Sequence, residues 1–221
     1  MNEIYRNELF KQLDGIVLIP TINSLFKTKI IDVINTKKKF TVNNLSDNVN
    51  KGYLNVALRL LYSLKFLNTS NNNTYIANNS LKEVIDHSDT FEELNNLIKY
   101  HIKFKELKDE EFIKYSNTIL TIMNNLQKNN FSNNLRSNII GTIIGPILAN
   151  LSFNNIISRN NNTLQTKLIN NNFIEVLYKL FTVEKLIDRN LNKDFILTDK
   201  GNFFISKSSA YGVTVSYLPM L

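Results

Sequence analysis

Residues 40–67, FTVNNLSDNVNKGYLNVALRLLYSLKFL, decide the expected fold. The pattern predicts a short strand at Phe40, a small helix near 42–49, a turn containing Gly52 and a longer helix over 53–67. Glycine suits that turn because it can take the positive φ that helix ends often need. Helix, short strand, helix, turn and helix, followed by a hairpin, is the order of a winged helix-turn-helix.

The regions on either side are mostly helical. Apolar periodicity predicts helices over 5–14 and 16–35, and short strands over 65–68 and 74–77 that would form the hairpin. Proline at position 20 fits only in the first turn of a helix or at a kink.

The middle third predicts two amphipathic helices. Asp89 with Glu92 three residues later is a capping-box start, and a second helix covers about 108–128. A short connection between two such helices favours an antiparallel pair.

The last third repeats the first. Five residues recur 126 positions later: Gly15, Pro20, Leu25, Ile30 and Ile31 return as Gly141, Pro146, Leu151, Ile156 and Ile157. Residues 61–67 are likewise matched by 180–186. We interpret this as two copies of one unit, with chance similarity of apolar helices as the alternative.

The expected fold is therefore mainly α, with two winged-helix-like units flanking a long helical hairpin. The predicted divisions are residues 1–85 for the first unit, 86–132 for the hairpin insertion, and 133–221 for the second unit and a connector to a catalytic core.

The amino-acid composition excludes several classes of site. The chain has 221 residues and no cysteine, which excludes disulfides, thiolate metal sites and a cysteine nucleophile. Its two histidines do not support a metal centre, so no metal ligands are predicted. Neither a signal peptide nor a segment long enough to span a bilayer is visible, so we expect a soluble, cytoplasmic protein without membrane contact.

The formal net charge of +7 raises the possibility of DNA binding. However, only five of the 26 basic residues are Arg, and the helix over 53–67 carries few polar residues for base reading: Asn55, Arg59 and Ser63, with Lys65 to one side. The helix over 173–186 is similarly apolar. We expect both helices to be covered by protein. A DNA-binding regulator using Asn55, Arg59 and Lys65 stays the alternative, and a plain dimerisation module is a third.

Two stretches carry a family resemblance. Residues 40–67 resemble the N-terminal winged-helix, dimerisation-type region of class I S-adenosylmethionine-dependent methyltransferases. Residues 197–221, LTDKGNFFISKSSAYGVTVSYLPML, are similar to the segment that precedes the catalytic core in methyltransferase domains of polyketide synthases.

The resemblance implies a lid or dimerisation region over a core that binds S-adenosylmethionine. Such a core needs a Gly-rich strand-to-helix turn, which none of the six glycines provides. Gly141 and Gly145 instead suit close helix packing. We therefore expect no cofactor on this chain alone, and a core beyond Leu221 in the same or a separate chain. An acyl carrier protein-linked substrate and a homodimer are further implied partners.

No catalytic residue is predicted. Tyr211, Ser216 and Tyr217 are candidates for capping the cofactor or acyl substrate, and the alternative is that they pack against the core. His101 lies on the apolar side of its helix and reads as a core histidine.

Overall fold

The computed structural model describes residues 2–45, 48–71, 74–154, 157–158, 165–166, 170–189 and 195–216. Its helices are α1 (Asn2–Lys27), α2 (Ile30–Lys37), α3 (Lys51–Ser63), α4 (Asn79–Asp86), α5 (Ser88–Ile102), α6 (Asp109–Lys128), α7 (Asn133–Phe153), α8 (Asn171–Val183), α9 (Asp199–Ser206) and α10 (Ser208–Ser216). Its strands are β1 (Lys39–Phe40), β2 (Leu67–Asn71), β3 (Thr74–Ala77), β4 (Ile157–Ser158), β5 (Gln165–Thr166), β6 (Ile187–Arg189) and β7 (Phe195–Leu197). They form three small antiparallel sheets, β1-β3-β2, β4-β5 and β6-β7. The mainly α fold is confirmed.

Helices α1 and α7 pack tightly together, and this contact connects the first unit of the chain with the second. A Cβ atom added to Gly15 would lie 2.0 Å from the carbonyl oxygen of Asn138, and one added to Gly141 would lie 2.2 Å from that of Gln12. Both distances are far below van der Waals contact, so the crossing requires glycine on each helix. The contact is reciprocal, because Asn138 and Gly141 follow Gln12 and Gly15 by the same 126 residues.

The predicted helices over 5–14 and 16–35 are wrong in their boundaries. Gly15 does not interrupt α1, because the close approach of α7 holds it inside one continuous helix. Pro20 also lies within this helix. The break comes later, at Lys29, whose φ of 58° starts the separate helix α2.

The structure supports the internal duplication and refines its alignment. From α3 to the start of α5, every element recurs 120 residues later, so that α3, β2, β3, α4 and α5 correspond to α8, β6, β7, α9 and α10. Helix α3 ends before Lys65 at a φ of 68°, and α8 ends before Lys185 at 58°. The side chains of Asn78 and Thr198 cap the next helices and also donate to the carbonyls of these two lysines. The sequence match of 61–67 with 180–186 is therefore wrong by one residue.

Helices α5 and α6 pack against each other, and α6 also packs against α8. The predicted helix over 108–128 agrees with α6. The capping box at Asp89 is wrong: α5 begins at Ser88, His87 makes no side-chain cap, and Asp89 lies in the first turn. The repeat extends into α5, because α10 corresponds to its first nine residues. The divisions at 85/86 and 132/133 stay a prediction.

Candidate interaction surfaces and the buried histidine

Each unit has a groove between its third helix and its hairpin. The groove beside α3 has a volume of about 780 Å³ and is lined by Thr41, Val42, Asn43, Lys51, Gly52, Asn55, Arg59, Tyr62, Thr69 and Tyr75. The groove beside α8 has about 560 Å³ and is lined by Glu175, Tyr178, Lys179, Thr182, Val183, Arg189 and Phe195. Five lining positions correspond at the 120-residue offset, from Asn55 and Glu175 to Tyr75 and Phe195. The two grooves are thus equivalent surfaces.

The two equivalent grooves differ in chemistry. Among the described residues, the α3 groove is lined by the cations of Lys51 and Arg59 and by no carboxylate. In the α8 groove, the rings of Tyr178 and Phe195 stack at 4.2 Å, and the Arg189 guanidinium lies 5.0 Å from the Phe195 ring. The α3 groove is the one suited to an anionic partner.

The expectation that both third helices are covered by protein is correct for α8 and wrong for α3. Phe173 of α8 is fully buried and packs on Phe112 and Tyr115 of α6. Tyr53, at the corresponding position of α3, is 78% exposed. Helix α6 of the inserted hairpin packs on α8 and buries Phe173, which is why the same helix pattern has two different outcomes.

The positions of the predicted DNA-reading residues are mixed. Asn55 and Arg59 are exposed, lie one turn apart on α3 and line its groove. Lys65 is exposed but follows the end of the helix and does not line that groove. The structure therefore brings together two of the three residues.

The C-terminal candidates occupy different environments. Tyr211 is fully buried on α10, and its hydroxyl donates to the side-chain oxygen of Gln12 on α1. Burial raises its pKa well above the usual value, and nearby Glu8 adds to the shift. Ser216 is exposed and donates to the carbonyl of Val213. Tyr217 lies outside the described residues, and the capping role of all three stays a prediction.

Replacing Tyr211 by phenylalanine tests whether its hydroxyl stabilises this chain. We expect Tyr211→Phe to lower the free energy of unfolding by about 1–2 kcal/mol, because the buried Gln12 oxygen loses its donor. Urea unfolding of the chain measures this change. The exposed Ser216→Ala variant is the control and should change stability by less than about 0.5 kcal/mol. Equal effects of the two substitutions would contradict this role for Tyr211.

His101 forms a buried hydrogen-bond chain between three helices, as expected for a core histidine. Its Nε2 lies 2.9 Å from the carbonyl oxygen of Thr142, and its Nδ1 lies 2.8 Å from the hydroxyl of Tyr115. Because a carbonyl only accepts, Nε2 donates and Nδ1 accepts from Tyr115. Pro146, four residues after Thr142, has no N–H, so the imidazole supplies the donor that this carbonyl lacks within α7.

Burial keeps this histidine neutral. Desolvation lowers the His101 pKa to about 3, although its bond to Thr142 acts in the opposite direction. Burial likewise raises the pKa of Tyr115 well above its ordinary value. The pair therefore stabilises the junction of α5, α6 and α7.

The sequence pattern predicts that Glu184 is exposed on the helix over 173–186, and this prediction is wrong. The residue is only 7% exposed, and its carboxylate accepts from Arg136 of α7 at 2.8 Å. This ion pair ties the end of α8 to α7. The sequence could not show it, because the two residues are 48 positions apart.

Metal ligation and membrane spanning can be stated for the described residues only. Within these ranges, no three His, Asp or Glu side chains are placed to hold a metal ion. No helix in the described part of the chain is long and apolar enough to cross a membrane.

The repeated helix-hairpin units place the chain in the class of mainly α proteins with a winged helix domain. Residues 5–69 match the family model described as the AprA N-terminal domain. Residues 140–221 match the model described as the AprA winged helix domain. These two domains fit an N-terminal part of a larger protein. No curated protein matches the chain.

Sequence reasoning missed the exposed apolar side chains of α3. Because the helix is apolar around most of its circumference, the pattern predicts that Tyr53, Val56 and Tyr62 are buried. Their counterparts in α8 are Phe173, Val176 and Thr182. The greater apolar character of α8 was the available signal that only one of the two helices is covered.

Proposed function

We propose that this chain is the non-catalytic N-terminal lid or dimerisation part of an S-adenosylmethionine-dependent methyltransferase of polyketide biosynthesis. Its role would be to exclude water above the reacting methyl group and to shape access for an acyl substrate. The resemblance of residues 40–67 and 197–221 supports this function. The matches to the AprA N-terminal and winged helix domains support only its coarser part, an N-terminal region with a winged helix.

The observation that carries the non-catalytic part is the location of the glycines. All six lie inside helices: Gly15 in α1, Gly52 in α3, Gly141 and Gly145 in α7, Gly201 in α9 and Gly212 in α10. A class I core uses glycine in a strand-to-helix turn so that the backbone can approach the cofactor. This chain has its glycines inside helices instead. We therefore assign S-adenosylmethionine binding to a separate core. We also place the chain in the cytoplasm.

Calorimetry with S-adenosylmethionine tests the proposal. We expect no binding heat for this chain at cofactor concentrations up to about 1 mM, because it has no cofactor turn. The same titration on the catalytic core, whether it is in the same or a separate chain, should show binding. Micromolar binding by the present chain alone would contradict the proposed division of labour.

A DNA-binding regulator is the second candidate, favoured by the exposure of Asn55 and Arg59 on α3. The apolar residues beside them, Tyr53 and Val56, count against it, because DNA contact surfaces are polar and strongly basic. Gel shifts with duplex DNA would support this candidate if affinity falls steeply with salt and Arg59→Ala reduces the salt slope.

A further inference from the structure

We propose that the outer face of α3 binds an amphipathic α-helix of a partner protein, and that this helix carries carboxylates at its N-terminal end. The face, called the α3 face below, consists of Tyr53, Asn55, Val56, Arg59 and Tyr62. Three of its residues, Asn55, Arg59 and Tyr62, also line the groove already described. The inference does not depend on a methyltransferase role.

The first argument is the large apolar exposure of the α3 face. Tyr53 is 78% exposed, Val56 66% and Tyr62 43%. Val56 lies on the side of α3 opposite Leu54, Leu58 and Leu61, which are buried in the first unit, and Tyr53 and Tyr62 lie on its two flanks. An exposed apolar cluster with a polar rim is typical of a protein-binding surface.

The second argument is that helix α6 occupies the part of the α8 surface equivalent to Tyr53 and Val56. The counterparts of Asn55, Arg59 and Tyr62, which are Glu175, Lys179 and Thr182, are exposed. Phe173 corresponds to Tyr53 and is fully buried, and Val176 corresponds to Val56 and is 7% exposed. Helix α6 packs on α8 and contacts Phe173 through Phe112 and Tyr115. Since α3 and α8 have the same length, the same asparagine cap and the same C-terminal lysine turn, a helix fits both.

The third argument concerns charge. Helix α6 begins with Asp109, Glu110 and Glu111, and the side chain of Asn170, which caps α8, donates to Asp109 at 3.0 Å. On α3 the corresponding cap is Asn50. The stretch from 27 to 65 contains eight Lys or Arg residues against two Asp, whereas the formal net charge of the whole chain is +7. Carboxylates at the end of the incoming helix would therefore meet a positive field.

Charge also selects among the occupants. Helix α3 contains Lys51 and Arg59 and no acidic residue, so pairing two α3 faces in a homodimer would bring like charges together. Duplex DNA would satisfy the cations and leave Tyr53 and Val56 without apolar contacts. An acidic amphipathic helix satisfies both parts of the face, in the helix-in-groove mode of recognition.

The test uses a labelled peptide of residues 109–128, which is the sequence that covers the equivalent face of α8, titrated into the full chain. We expect micromolar binding by fluorescence anisotropy, because a free helix of this length must order on binding. Val56→Glu should weaken it about tenfold or more through lost apolar contact and a repulsive charge. The matched control Ile4→Glu, at a residue of α1 that is 71% exposed, should change affinity less than about twofold.

Charge reversal provides the second arm. In the peptide, replacing Asp109, Glu110 and Glu111 by lysine should weaken binding about tenfold, because the positive charge around α3 would then repel the end of the incoming helix. The control peptide carries Asn117→Lys, at an exposed position in the middle of α6, and should bind within about twofold of the parent peptide. Circular dichroism confirms that each variant is folded.

Four outcomes would overturn the proposal. They are absence of peptide binding, binding that Val56→Glu leaves unchanged, duplex DNA binding that needs Arg59 but not Val56, and a homodimer that Val56→Glu dissociates.

Discussion

Replacing Gly141 by alanine is expected to lower the free energy of unfolding by about 3 kcal/mol. The new Cβ would lie 2.2 Å from the carbonyl oxygen of Gln12 and 2.3 Å from its Cα. These are backbone atoms of a helix that is itself packed along α7, so neither helix can move aside without loss of the buried contacts around the crossing. Urea unfolding followed by circular dichroism measures the change.

Two further variants give this prediction its controls. Gly15→Ala should destabilise the chain to a similar extent, because its Cβ would meet the backbone of Asn138 at the same crossing. Gly52→Ala, in the exposed first turn of α3, would meet only the side-chain oxygen of Asn50 at 3.0 Å and should change stability by less than about 1 kcal/mol. Equal effects at positions 52 and 141 would show that the helix crossing is not tight.

Acidification is expected to destabilise the chain through His101. The pKa of this residue is about 3 in the folded state and about 6.5 when unfolded, so the unfolded state binds the proton first as pH falls. The contribution of His101 to stability is therefore complete above pH 6.5 and is lost progressively between pH 6.5 and 3. Between pH 7 and pH 4.5 the loss is on the order of 2–3 kcal/mol.

The comparison of His101→Gln with the parent chain isolates this contribution from the carboxylates. Glutamine offers a donor and an acceptor but does not titrate, so the stability difference between the two proteins should shrink on acidification. Ser216→Ala, at an exposed residue that does not titrate, is the control and should keep the pH dependence of the parent. A pH-independent difference between His101→Gln and the parent would contradict the buried neutral state.

The sequence predicted well what depends on local pattern. Helix α6 and strand β3 have nearly the expected boundaries, because amphipathic periodicity and the flanking turn residues act within a few positions of each other. The repeat was also visible, since Gly15 and Pro20 recur with their spacing intact. The element order up to the hairpin followed from these signals, whereas the helices after the two hairpins, α4 and α9, were not predicted.

The predictions that are wrong concern features that depend on contacts between residues far apart in the sequence. Gly15 reads as a break in any isolated helix, and only the approach of α7 makes it an interior position of α1. Tyr53 and Phe173 have equivalent patterns around them, yet α6 covers one and not the other. Arg136 similarly decides that Glu184 is buried. The candidate site on α3 therefore required the positions of the inserted helices.

The helix crossing also affects how the chain folds during its synthesis. More than 100 residues separate the end of α1 from the start of α7. At a translation speed of about 5–20 residues per second, α1 leaves the ribosome roughly 5–20 s before its partner exists. Helix α1, which is synthesised first, contains apolar residues that are buried in the folded chain, such as Ile16, Leu18 and Ile19. We therefore expect nascent chains of this protein to expose these apolar residues until α7 has been synthesised.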